Sequence, residues 1–374
     1  MTTETDRTPG RAAARAHRVA ALRPAYQAEL ADGTGRFFAP RRTDCPWCGS
    51  VRLRPRLHTT DLLQHKPGRF VLDECGDCAH VFQNPRLTGP GLEFYYRDFY
   101  DGLGEQRLAG MFATRDRVYR ERARSVAPFD PAPGHWLDVG TGHGHFCAAA
   151  HELFPDTVLD GLDLSEGVEL AEKQGRLARG YRGTFPELAD ELAGRYDVVS
   201  MFHYLEHSTD PAHELAAAHR TLRPGGLLLI EVPDPECSYA RLLGRWWLPW
   251  LQPQHLNLVP VANLRRRLGE LGFTVLLEQH GEAHDPVDLL AACWLLLDAL
   301  APREDAPWHP GPPPGRLRRV LRGAVFLAGA PVLLLAALLD RAVARSARRT
   351  GLANAYRVIA RREGAAAAGR GAAA

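Results

Sequence analysis

The sequence predicts an α/β protein built on a doubly wound, mostly parallel sheet, with a small cysteine-rich unit before it and a helical insert late in the chain. Three observations predict it. Between residues 135 and 234, apolar strand-like runs alternate with helix-like stretches four times. The first run, "HWLDVGTGHGHFC" (135–147), ends in an acid followed by Gly140, Gly142 and Gly144 at every second position. Upstream, four of the seven cysteines fall into two C-x-x-C pairs.

Taken in order, residues 1–44 begin "MTTETDRTPGRAAARAHRVAALRPAYQAEL", which lacks the apolar core of a signal peptide and reads as a loose helical arm. A cytoplasmic location is expected. Residues 45–90 hold Cys45 and Cys48 in "CPWCGS" and Cys75 and Cys78 in "ECGDCAH", separated by 26 residues. Two such knuckles fit a tetrahedral four-cysteine zinc ribbon. The rival readings are two disulfides, which a cytoplasmic setting disfavours, and a redox pair, which two matched pairs disfavour. The segment between the knuckles has little apolar mass, so zinc is expected to supply most of its folding free energy, on the order of 10 kcal/mol. Cys147, Cys237 and Cys293 lie in apolar surroundings and read as core. Residues 91–134, including "GMFATRDRVYRERARSV", read as a helical connector that separates the ribbon from the core.

The core is expected over 135–284. Its glycine loop has G-x-G-x-G spacing, so the G-x-G-x-x-G dinucleotide fingerprint is not met. By itself the loop reads as the cradle of a nucleotide-like ligand or as a plain tight turn. A second strand in "TVLDGLDLSEGVELAEKQG" ends at Asp163, 23 residues after Gly140 and near the spacing of about 20 at which an acid meets ribose hydroxyls. "RYDVVSMFHYLEH" gives a strand with a polar, histidine-rich end, "DPAHELAAAHRTL" a helix, and "RPGGLLLIEVPD" another strand.

In that order, "LDVGTGHGHF", "LDGLDLS", "YDVVSMFHYLEH" and "LRPGGLLLIEVPD" resemble the class I methyltransferases dependent on S-adenosylmethionine. The resemblance implies a Rossmann-like, seven-stranded sheet with its last two strands antiparallel. It also implies a cofactor site: Asp138, Gly140, Gly142 and Gly144 under the methionine part, Asp163 on both ribose hydroxyls, Gly183, Thr184 and Phe185 at the adenine, with Leu164 and Phe202 among the contacts. Many members carry an acid after the third strand; here the stretch is "YRGTFPEL", so adenine contacts from 183–185 are expected through backbone or stacking. With the knuckles, "FYYRDFY" and the stretch 232–273, the chain is similar to a bacterial group bearing an N-terminal zinc ribbon, common in natural-product, sugar and surface-polysaccharide pathways. In a closed four-cysteine site the zinc is structural.

Methyl transfer is an in-line displacement, for which the protein aligns the acceptor and, where needed, removes a proton. Candidates lie at the carboxyl ends of the strands. Among His203, Tyr204, Glu206, His207 and His255, we select His203 and His255 as acceptor contacts or base, and read Glu206 and His207 as orienting their loop. His143 and His145 read as fillers on the cofactor side. Phe94, Tyr95, Tyr96, Phe99 and Tyr100 read either as a roof over the acceptor or as a packing stripe.

Residues 285–350 form an apolar helical insert between "GFTVLLEQHG" and the last strand, 351–362; the tail 363–374 is low-complexity and expected to be disordered. The run "GAVFLAGAPVLLLAALL" (323–339) is 17 uncharged residues, short of the usual 20 or so for a span. A single crossing would part the last two strands. A pair of helices dipping into one leaflet, or a lid over a lipophilic acceptor, keeps them together. Arg316, Arg318, Arg319 and Arg322 before the run, and Arg341, Arg345, Arg348 and Arg349 after it, suit anionic headgroups or the solvated ends of packed helices, and peripheral membrane contact through 287–349 or a lid is favoured over a buried core hairpin. The net charge of +2 and the lack of a basic block disfavour nucleic acid, and with it a ribosomal-RNA methyltransferase. A non-catalytic binding module is disfavoured by the intact loop and Asp163. The expected function is transfer of a methyl group to a small-molecule acceptor.

Overall fold

The computed structural model describes residues 11–98, 116–281, 283, 286–344 and 351–364. Phe99, Tyr100, Arg345, Arg348, Arg349 and all but the first residues of the tail lie outside these. After an N-terminal helix α1 (Arg11–Glu29) come strands β1 (Leu53–Thr59), β2 (Phe70–Cys75) and β3 (Val81–Gln83), then helices α2 (Gly89–Tyr96) and α3 (Asp116–Arg124). The alternating unit follows: β4 (His135–Val139), α4 (His145–His151), β5 (Val158–Asp163), α5 (Gly167–Lys173), β6 (Arg179–Arg182), α6 (Phe185–Leu188), β7 (Tyr196–Phe202), α7 (Pro211–Thr221) and β8 (Leu222–Pro233). The chain ends in α8 (Ser238–Leu242), β9 (Asn257–Leu258), α9 (Val261–Glu270), β10 (Phe273–Gln279), α10 (Asp288–Leu300), α11 (Arg316–Ala344) and β11 (Ala355–Arg362).

Seven strands form one sheet in the order β10-β11-β8-β7-β4-β5-β6, with β4 to β8 parallel and β11 antiparallel to both neighbours. The doubly wound sheet with an antiparallel last pair is thus the fold. Side-chain alternation explains why it is covered on both faces. Leu137, Val139, Val199, Met201, Leu228 and Ile230 point into one apolar layer, while Trp136, Val198, Leu227, Leu229 and Ile359 point into the other. Strands apolar at every position can be buried only when helices cover both sides.

The cysteine-rich unit is not separate from this core, contrary to the connector reading. Its β3 pairs with β9, Val81 opposite Leu258, so the small sheet β1-β2-β3-β9 closes on a strand supplied from beyond β8. Polar contacts at the second knuckle hold the junction: His80 Nε2 lies 3.0 Å from Asn257 Oδ1, and Asn263 Nδ2 donates to the Cys78 carbonyl at 2.7 Å.

The insert folds as an antiparallel helix pair. Asp340 at the end of α11 caps the start of α10, accepting from the amides of Leu289 (3.0 Å) and Leu290 (2.9 Å), while Arg322 near the start of α11 pairs with Asp298 near the end of α10. Gly329 lets the helices touch: a Cβ there would lie 2.4 Å from Leu297 Cδ1. The helix α11 runs unbroken through Pro331.

Candidate active site

The expected cofactor residues gather where β4, β5 and β7 end. Gly140, Gly142 and Gly144 all have left-handed backbone, with φ of 77°, 54° and 70°. Only glycine adopts that geometry at little cost, which explains the spacing. A Cβ at Gly140 would lie 2.7 Å from the Tyr204 ring, whereas one at Gly142 would meet no described atom within 4 Å, so that side of the loop is open. The loop is tied to the next strand: the amides of Gly140 and Thr141 donate to the Leu162 carbonyl, and the Gly142 amide donates to Asp163 Oδ2 at 2.8 Å. Ser165 N donates to the other oxygen at 2.8 Å, so the Asp163 carboxylate is oriented while each oxygen keeps a further lone pair. Asp138, one residue before the end of β4, is buried and accepts from Ser200 Oγ at 2.6 Å, and burial pushes its pKa up to about 7.

The remaining expected cofactor residues are spread along the same edge. Leu164 is exposed at the rim. Gly183 and Thr184 follow β6, but the Phe185 ring is wholly buried in the core, which leaves backbone rather than stacking for any contact there. Phe202 ends β7, with the Phe146 ring 4.6 Å away and the Arg122 guanidinium over it at 4.6 Å.

The histidines stand in two different electrostatic settings. His203, with φ of 51°, places Nδ1 3.0 Å from Glu206 Oε1 and Nε2 3.6 Å from Glu231 Oε1. Burial works against its charged form, but the hydrogen bonds to Glu206 and Glu231 outweigh it, and its pKa is raised. A ring bonded through Nδ1 to one carboxylate and facing a second through Nε2 favours its protonated form. His255 is buried, and its Nδ1 lies 2.7 Å from the Pro249 carbonyl, which can only accept. The proton therefore sits on Nδ1 and the lone pair on Nε2. Burial, followed by the charge of His207, lowers its pKa to about 3. Tyr96 donates to the Gln254 carbonyl at 2.7 Å, with His207 Nδ1 3.0 Å from its hydroxyl, and the His207 and His255 rings meet edge to face at 4.6 Å. Glu206 Oε1 serves His203, and its buried Oε2 has no partner among the described residues. Of the described residues in the aromatic run, Phe94 and Tyr95 are core, packed with Phe37, and Tyr96 reaches this cluster.

A charged group that the sequence reading passed over lies beneath. Glu231 near the end of β8 is 1% exposed, and takes Arg122 on one oxygen and Arg357 on the other, with Arg357 Nε at 2.9 Å. The signal was one glutamate inside the otherwise apolar "LLLIEVP".

In the cysteine-rich unit, the four knuckle sulfurs lie within 4.8 Å of one another, with Cys45–Cys78 at 3.7 Å and Cys48–Cys75 at 3.6 Å. A tetrahedron with Zn–S of about 2.3 Å has edges of about 3.8 Å. Amides of Trp47 and Asp77 point at the first sulfur of each knuckle, both at 3.4 Å. The donor set and its spacing fit zinc.

Residues 111–278 match a family model described as a methyltransferase domain. Over 125 residues the chain is 30% identical to a ubiquinone biosynthesis O-methyltransferase of Pseudomonas paraeruginosa, covering 32% of this chain and 53% of that one. A ubiquinone biosynthesis O-methyltransferase of Pseudomonas syringae pv. tomato is 36% identical over 131 residues, covering 33% and 53%. The chain thus spans about half the length of these curated relatives. Among solved structures, a SAM-dependent methyltransferase from Archaeoglobus fulgidus aligns over 72% of this chain and 99% of that one, with 16% identity and a TM-score of 0.43.

Proposed function

We propose that this chain transfers a methyl group from S-adenosylmethionine to a small-molecule acceptor. The observation that carries the reading is the loop of three left-handed glycines with Asp163 fixed against it, inside the segment that matches a methyltransferase domain. Bound S-adenosylmethionine would supply a methyl group made electrophilic by its sulfonium. The chain's own residues do the rest. Gly140 to Gly144 offer backbone without side chains, Asp163 offers two oriented acceptor oxygens to a diol, and Asp138 closes the floor. On the acceptor side, His255 Nε2 is the lone pair that receives the acceptor's proton, and the His203 imidazolium holds the loop through Glu206 and Glu231. The low pKa of His255 makes it a weak base, so it suits an acceptor whose proton leaves only as the new bond forms.

Curated relatives named for O-methylation in ubiquinone biosynthesis support a small-molecule acceptor with oxygen as nucleophile. A lipophilic acceptor is supported by the segment that carries His255, which also presents the half-buried Trp246, Leu248 and Leu251. The zinc reading rests on the fit above: the ion would hold the ribbon closed and take no part in the transfer. Keeping four thiols reduced for it suits the cytoplasm.

The test begins with the cofactor. Titration calorimetry of the purified chain with S-adenosylmethionine should show one site, and labelled methyl should then pass to members of a panel of phenolic, sugar and lipid-linked acceptors. Absence of cofactor binding in folded protein would end the proposal.

A further inference from the structure

The insert carries an observation that methyl transfer does not use. Along α11, nine large apolar side chains between Leu317 and Leu339 are at least 45% exposed, among them Leu327 at 78%, Leu334 at 62% and Leu338 at 54%. The side packed on α10 is narrow: Gly329, Ala336 and Asp340 are the positions buried along the described helix. At 100° per residue, Val320, Leu327, Leu334 and Leu338 fall on the side opposite α10. Soluble monomers rarely leave an apolar surface of this extent uncovered.

We infer that α11 is a membrane-docking helix that lies flat on an anionic lipid surface. Its orientation follows from its two anchors. Near its start Arg322 is held by Asp298, by Glu304 at 3.2 Å and by the Pro302 carbonyl at 3.1 Å; near its end Asp340 is held by the first amides of α10. A helix pinned at both ends to one body presents its flank, not its tip. An upright crossing would break both anchors, and the uncharged stretch, 17 residues and so about 25 Å, is shorter than the hydrocarbon core of about 30 Å.

Charge selects the occupant. Arg316, Arg318 and Arg319 are exposed before the apolar stretch and Arg341 after it, while the one acid from 306 to 344, Asp340, is buried. The outward flank is therefore apolar with cationic ends, the arrangement that sinks leucines below the headgroups and sets arginines among phosphates. A second copy fits less well, because either antiparallel or parallel pairing of two such helices brings arginines against arginines.

The experiment is flotation of the full chain with phosphatidylglycerol–phosphatidylcholine vesicles, with sedimentation velocity run beforehand without lipid. The expected result is a monomer that floats with these vesicles at low salt and less so as salt is raised. Exchanging Leu327, Leu334 and Leu338 for Glu should cut partitioning by about tenfold or more per site, since burying one leucine is worth at least that factor. All three are exposed, so near-ultraviolet circular dichroism should not change. Arg316→Glu with Arg341→Glu, the exposed arginines on that flank, should weaken binding to anionic vesicles selectively. The inference is overturned if wild-type protein stays at the bottom of the gradient, or if it is a dimer without lipid that the leucine variant dissociates. No cofactor or acceptor enters these measurements, so failure here is separate from failure of the methyl-transfer reading.

Discussion

Exchanging Glu231 for Gln removes the charge that three elements share. The side chain is 1% exposed, and the guanidinium groups it neutralises are hardly more so, Arg122 at 5% and Arg357 at 3%. A glutamine keeps one acceptor oxygen, enough for one arginine fork, and turns its amide donors toward the other. Both buried guanidinium groups then face a neutral amide in place of the carboxylate they share, a change that typically costs about 3–5 kcal/mol. Against a total stability of roughly 5–15 kcal/mol, that is a large fraction. Burial alone would raise the pKa of Glu231, but Arg122, the His203 ring and Arg357 outweigh it and hold the carboxyl well below the ordinary glutamate range. The sign follows: the contribution is present above the unfolded value of about 4.3 and is lost as pH falls toward the folded one. Urea unfolding followed by circular dichroism should show a wild-type to variant gap of this size at neutral pH that narrows below about pH 4.3. A gap under about 1 kcal/mol, or one indifferent to acid, would refute the claim that these charges are shielded from water and mutually neutralised.

Other outcomes follow from the same geometry. Asp163→Ala removes the acceptor of the Gly142 amide as well as the diol contact, and should weaken S-adenosylmethionine binding by about 1–3 kcal/mol in calorimetry; equal affinity would take Asp163 out of the site. Cys75→Ser should abolish binding of one zinc per chain and, because β3 pairs with β9, should lower the melting temperature of the whole chain; an unchanged main transition would mean the ribbon is energetically separate. His255→Asn should lower turnover by about 100-fold or more with cofactor affinity intact, and undiminished turnover would leave His255 only an acceptor contact.

Much of this molecule could be read before any coordinate, and the reason is locality. Strand-helix alternation, glycines at 140, 142 and 144, and two C-x-x-C pairs are each set by a few consecutive residues, whose periodicity or turn chemistry is the same in any context. The placement of Asp163 against the loop was legible for a related reason: one β-α-β unit has a nearly fixed length.

What sequence order hides is pairing between distant residues and the question of which apolar surface is covered. Glu231 meets Arg122 and Arg357 across 109 and 126 positions, and nothing local to any of the three marks the others as partners. The same holds for β3 and β9, so a unit that its cysteines set apart turns out to complete its sheet with the core. His203 and His255 look alike in sequence. Two carboxylates raise one pKa, while burial beside His207 lowers the other, and only packing brings those groups near. Composition by itself determined that residues 323–339 avoid water. How much of that run the protein itself covers was decided by the tertiary structure, because α10 is 13 residues long, α11 is 29, and the shorter helix covers only one flank of the longer.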